Sequence, residues 1–137
     1  MRSAVFDASV LVKMVVDEPG SPDAYQSYDE TDAPIAPDWI LIECSNALLR
    51  KVRYGEWDPD EARRAFTALS CIDILLKRSE PLMPLAFELA LRAGHSPYDC
   101  LYLALALAED ANLVTADARL RDLALAAAVD VRWVGGD

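Results

Sequence analysis

Apolar positions along the chain fall into two kinds of run. Short β-like runs stand at Ala4-Val5-Phe6, Pro34-Ile35-Ala36, residues 72–76, Leu113-Val114-Thr115 and residues 131–134. Longer runs with helical character lie between them, at residues 10–16, 21–29, 39–54, 59–69, 84–93, 97–110 and 117–127. This alternation predicts an α/β fold, a parallel sheet flanked by helices, in one domain over residues 1–137. Local chemistry marks many helix ends. Ser21-Pro22 reads as cap and first residue, Asp38 as a cap, and Asp58-Pro59-Asp60-Glu61 as a capping box with proline in the first turn. Gly55 and Gly94 stand where a left-handed residue would end a helix.

Composition narrows the function. With 53% hydrophobic residues, a chain of 137 residues can build a core without disulfides or a structural metal. Its 23 acids against 13 bases exclude a generically basic nucleic-acid coat. Five glycines, at 20, 55, 94, 135 and 136, leave no GxGxxG or GxxxxGK[ST] loop. One histidine, His95, excludes HExxH chemistry and carries no assigned role. Cys44, Cys71 and Cys100 form no CxxC pair and read as small buried hydrophobes of a reducing compartment. An acid at position 7 leaves no room for a signal peptide's apolar stretch, and the longest apolar run, residues 101–108, is too short to span a bilayer. The expectation is a soluble cytoplasmic protein with no membrane partner. Charge is uneven: residues 1–49 carry −7, residues 50–78 carry +2, and residues 79–137 carry −5. The basic middle segment reads first as a solvated face.

Four acids stand where a carboxylate is costly. Asp7 ends the first strand and faces the crevice that open α/β sheets form beyond their strand ends, although a helix cap would use the same position. Glu43 sits in residues 39–49, where eight of eleven residues are apolar, so that a helix buried on most sides would hold it. Asn46, three residues on, shares its face. Asp99 lies three residues after Ser96, at the mouth of an apolar helix, where a capping box is an equally good account. Asp117 repeats the strand-end placement of Asp7, again with capping as the alternative. Together these hard oxygen donors suit Mg²⁺ or Mn²⁺. Ser9 and Thr115 could orient ligand carboxylates or satisfy local backbone groups.

Four motifs carry a resemblance: Val-Phe-Asp7-Ala-Ser9, Ile-Glu43-Cys-Ser-Asn46-Ala-Leu, Ser-Pro-Tyr-Asp99-Cys-Leu-Tyr and Leu-Val-Thr115-Ala-Asp117, in that order. Over nearly the whole chain the sequence resembles the PIN-domain ribonucleases, in particular the VapC-like toxins of type II toxin–antitoxin pairs. The resemblance implies a five-stranded parallel sheet of order 3-2-1-4-5 and a Mg²⁺- or Mn²⁺-dependent endoribonuclease. It places the acidic quartet on Asp7, Glu43, Asp99 and Asp117. Asp7, Asp99 and Asp117 are then the metal ligands and Glu43 handles the attacking water, with Ser9, Asn46 and Thr115 in support. Water as nucleophile implies 5′-phosphate and 3′-hydroxyl products. The implied partners are an RNA substrate, a cognate antitoxin seated between the helices at 39–54 and 62–69, and a second copy of the chain in a homodimer.

Two other readings compete. A haloacid-dehalogenase-like phosphohydrolase would use Asp7 as covalent nucleophile, but Ser9 stands where that class places its second aspartate. A catalytically inactive module could bind RNA or protein only, yet binding alone gains nothing from four clustered, mutually repelling carboxylates.

Overall fold

The computed structural model describes residues 3–136. Buried β1 (Ser3–Phe6) forms the centre of a parallel sheet, because its Val5 and Phe6 have no solvent-facing side. Around it lie β2 (Ala33–Pro37), β3 (Leu75–Lys77), β4 (Asn112–Thr115) and β5 (Val131–Trp133), in the order β3-β2-β1-β4-β5. The expected fold and strand order are therefore what the chain adopts. Val5 stands opposite Ile35 on one side and Leu113 on the other, while Phe6 pairs with Val114. This register brings the residues after β1 and β4 to one point on the sheet's edge.

Seven helices connect the strands among the described residues: α1 (Ala8–Val15), α2 (Ser21–Asp29), α3 (Ile40–Arg53), α4 (Pro59–Ser70), α5 (Met83–Ala93), α6 (Pro97–Glu109) and α7 (Ala118–Ala126). α1 packs on α2, α3 and α4, while α6 covers β1, β2 and β4 and holds α5 and α7 beside it. Every residue of α6 from Cys100 through Ala106 is buried, which its nearly unbroken apolar run anticipates. Asp58 and Glu61 form the expected capping box, and Gly55 and Gly94 have φ of +75° and +64° as helix terminators.

Several local expectations are corrected. Asp38 does not cap α3: Trp39 occupies that position, and the Asp38 carboxylate accepts hydrogen bonds from the Ser79 N–H and hydroxyl, 41 residues away. Gly20, not Ser21, caps α2, because the Ser21 hydroxyl donates to the Val16 carbonyl. The third strand is residues 75–77 rather than 72–76, a short edge strand with exposed Leu75 and Leu76. Cys44 and Cys100 are buried, but Cys71 is exposed just past α4. α3 is not apolar because it is buried all round: Leu41, Ile42 and Leu49 are exposed.

Candidate active site

Parallel pairing of β1 with β4 creates a corner where Asp7 meets the segment after Thr115. Asp7 is 3% exposed, and both its oxygens are held. Oδ1 accepts from the Ser9 hydroxyl at 2.5 Å and the Val10 N–H at 3.2 Å, and Oδ2 accepts from the Thr115 hydroxyl at 2.5 Å. Each hydroxyl also accepts from the β4–α7 loop: Ala116 N–H reaches Ser9 Oγ and Asp117 N–H reaches Thr115 Oγ1, both at 3.0 Å. Ser9 and Thr115 therefore orient the Asp7 carboxylate and satisfy backbone groups at once. Burial pushes the Asp7 pKa up to about 6, against the opposing pull of these hydrogen bonds, with nearby Asp117 adding to the rise.

Glu43 comes from the first turn of α3 and Asp99 from the first turn of α6. Glu43 Oε1 accepts from the Tyr102 hydroxyl at 3.1 Å. Partial burial raises its pKa to about 7; Tyr102 opposes the shift, and Asp99, Asp7 and Asp117 reinforce it. Asp99 also has a raised pKa, first from burial and then from Asp117, while His95 pulls it down. Ser96 caps α6 through the Asp99 N–H, yet the Asp99 carboxylate lies 3.4 Å from His95 Nδ1. Asp117 is at once a cap and a site residue: its Oδ1 accepts from the N–H groups of Arg119 and Leu120.

All four acids line one cavity of about 350 Å³ at the carboxyl ends of the strands. Ser9 lines it too; Thr115 stands behind Asp7, fully buried. Asn46 is exposed and outside the lining, because the helical phase turns Ala47 inward instead. Sequence reasoning missed Tyr102, Glu18, Lys13 and Arg50, which also line the cavity. Tyr102 was within reach, lying three residues after Asp99 on the same helix face. Glu18 sits in an irregular turn after α1, where no periodicity marks it; it pairs with Lys13 at 3.3 Å.

The donor set, hard carboxylate oxygens of which three have pKa values raised first by burial and then by their neighbours' charge, has the chemistry of a Mg²⁺ or Mn²⁺ site. Among the described residues no three acidic, histidine or cysteine side chains stand close enough together to ligate one ion. Each carboxylate is instead engaged locally, by Ser9 and Thr115, by Tyr102, by His95 or by helix amides. As placed, these carboxylates do not share one coordination sphere.

A PIN-domain family model matches residues 4–125. Ribonuclease VapC1 of Mycobacterium tuberculosis is 31% identical over 122 residues, covering 88% of this chain and 90% of that protein. Among solved structures, M. tuberculosis VapC20, a toxin that cleaves the sarcin-ricin loop, superposes with a TM-score of 0.69 at 15% identity, covering 87% of this chain and 93% of its own. VapBC2 of Rickettsia felis, bound to a DNA fragment from its promoter, gives 0.62 at 14% identity over 95% and 97%. These two likenesses are of fold.

Proposed function

The chain belongs to the PIN-domain family, and from that premise we propose that it is a VapC-type endoribonuclease, the toxin of a type II toxin–antitoxin pair. The observation that carries this reading is the convergence of Asp7, Glu43, Asp99 and Asp117 on one cavity, with Asp7 and Glu43 held at pKa values of about 6 and 7. Membership of this family displaces the phosphohydrolase alternative.

Asp7 and Asp99 would hold a Mg²⁺ or Mn²⁺ ion, with Asp117 completing the set directly or through water. Bound there, the ion would supply positive charge to the phosphoryl oxygens and make water more acidic. Ser9 and Thr115 keep the Asp7 carboxylate fixed. Glu43, with a carboxyl pKa near neutrality and its orientation set by Tyr102, takes the proton of the attacking water. In-line attack then leaves a 5′-phosphate and a 3′-hydroxyl.

A groove of about 620 Å³ between α3 and α4, walled by Leu48, Leu49, Val52, Ala62 and Phe66, suits an apolar antitoxin helix. An antitoxin arginine reaching the acidic cavity would match its carboxylates. Met83, Phe87 and Leu91 form an exposed stripe on α5 that a second copy would cover in the homodimer, read by light scattering. No helix among the described residues is long and apolar enough to cross a membrane, and the free thiols suit the cytoplasm.

The deciding experiment is cleavage of an RNA panel with Mn²⁺, with EDTA, and with Asp7→Asn and Asp99→Asn. Wild type is expected to cut only with the ion, and both variants to lose activity by orders of magnitude while keeping their fold. RNA binding without Mn²⁺-dependent cleavage would establish the inactive module instead. Expression of the chain alone should arrest growth, and co-expression of the neighbouring gene should relieve it; a harmless, active chain removes the toxin role.

A further inference from the structure

α3 carries a second pattern along the face that holds Glu43. Trp39, Glu43, Ala47 and Arg50 fall at intervals of four, four and three, which places them in one stripe. The last three line the cavity. At the upper end Trp39 stacks on Tyr98, with ring centroids 5.7 Å apart and an angle of 18° between planes. Trp39 packs against the buried cluster of Ala86, Cys100, Leu101 and Ala104, whereas Tyr98 is 51% exposed, so the pair is backed by the core on one side and open on the other. The same four-residue step repeats on α6, where Tyr102 meets Glu43 one turn below Tyr98. An open aromatic pair thus stands about 6 Å along α3 from the acid that handles water.

At the other end stands Arg50, about 10 Å beyond Glu43 along the helix. It is exposed on the rim of a cavity lined by five carboxylates, yet its guanidinium makes no ion pair among the described residues. Lys13, the other cation of the lining, is taken by Glu18 and the Pro19 carbonyl. Most other cations of the basic middle segment are also engaged: Lys51 with Glu56, Arg63 with Asp60, Lys77 with Glu109 and Arg78 with Glu80. A cavity of this sign repels a phosphodiester, and Arg50 is the lining cation left to attract one.

We infer that single-stranded RNA lies along α3, with one base stacked at the Trp39–Tyr98 pair and a backbone phosphate further along the strand held by Arg50, Glu43 lying between them. The inference rests on the nuclease reading for its substrate class. Stacking on an open ring needs an unpaired base, which selects single strands or loops over duplex. Arg50 and Tyr98 are positioning residues: they fix the strand and leave the reacting bond to the acids.

The test measures binding of a labelled single-stranded RNA by the Asp7→Asn chain across a salt series, and cleavage kinetics in the otherwise unaltered chain. Arg50→Ala should reduce the slope of log K against log salt by about 0.7, the release expected for one single-strand phosphate contact, and Arg50→Lys should restore it. A role confined to the α3 dipole would leave that slope unchanged. Tyr98→Ala should weaken binding about tenfold, Tyr98→Phe should retain it, and a duplex of the same sequence should be indifferent to both. In cleavage, Arg50→Ala and Tyr98→Ala should raise KM and leave kcat. An unchanged salt slope, or equal losses in Tyr98→Phe and Tyr98→Ala, overturns the track. If wild type cuts RNA without these signatures, the track fails and the nuclease stands. If the signatures appear without cutting, the nuclease reading fails and the track stands.

Discussion

Asp7 and Asp117 occupy matching corners of the sheet. Each follows a strand, each caps the next helix, and each reaches the same cavity. Their surroundings differ. Asp7 ends the central strand, with β2 and β4 on either side, and its two oxygens are fixed by hydroxyls from its own helix and from β4. Asp117 stands two residues beyond β4 and spends an oxygen on the amides of α7. Burial lifts Asp7 to a pKa of about 6 while its partners stiffen it. A strand-end aspartate thus becomes a desolvated, preoriented carboxylate at the centre of a sheet and an ordinary cap one strand away, with the same local sequence logic at both corners.

The contrast can be broken by substitution. Asp7→Asn should reduce RNA cleavage by orders of magnitude, and Asp117→Asn by much less; equal losses would make the corners equivalent ligands. Thr115→Val removes the hydroxyl that joins them, leaving Asp7 Oδ2 and the Asp117 N–H without this partner. Urea denaturation should show a loss of about 1–3 kcal/mol. Asp117→Ala should cost about 1 kcal/mol as a lost helix cap, and Asp117→Asn close to nothing.

A separate effect is on the pH dependence of stability. The folded carboxyls of Asp7 and Glu43 titrate near 6 and 7, above their ordinary values of 3.8 and 4.5. The folded state therefore binds more protons than the unfolded chain between about pH 4 and 7, so stability rises as pH falls through that window. Melting should shift up by a few degrees between pH 8 and 5.5. Glu43→Gln, which keeps an acceptor for Tyr102, should raise the pH 8 melting temperature and flatten the slope. A slope untouched by this change would separate Glu43 from the cluster.

The same contrast shows what was legible in sequence. Both corners were, because a strand followed by an acid and a helix is local chemistry. The capping box at Asp58 and the terminators Gly55 and Gly94 were legible for the same reason. Asp38 has equally good local credentials, but Ser79 competes for its carboxylate through a contact that no short window contains. β3 was placed early because an exposed edge strand has no inward-facing alternation to mark its start. Asn46 satisfied the three-residue rule, yet α3 turns the i+4 residue, Ala47, toward the cavity. Glu18 reaches the cavity only through the turn that Ser21 and Val16 tie together.

The bond from Thr115 to Asp7 joins residues 108 positions apart. It also governs when the centre can exist. Asp7 is synthesised 108 residues before the hydroxyl that completes its surroundings. A ribosome-bound chain ending before β4 has Asp7 without the Thr115 hydroxyl and without Asp117 beside it. If the chain cuts RNA as proposed, this long-range closure works as a delay: the centre is completed only after β4 has been made.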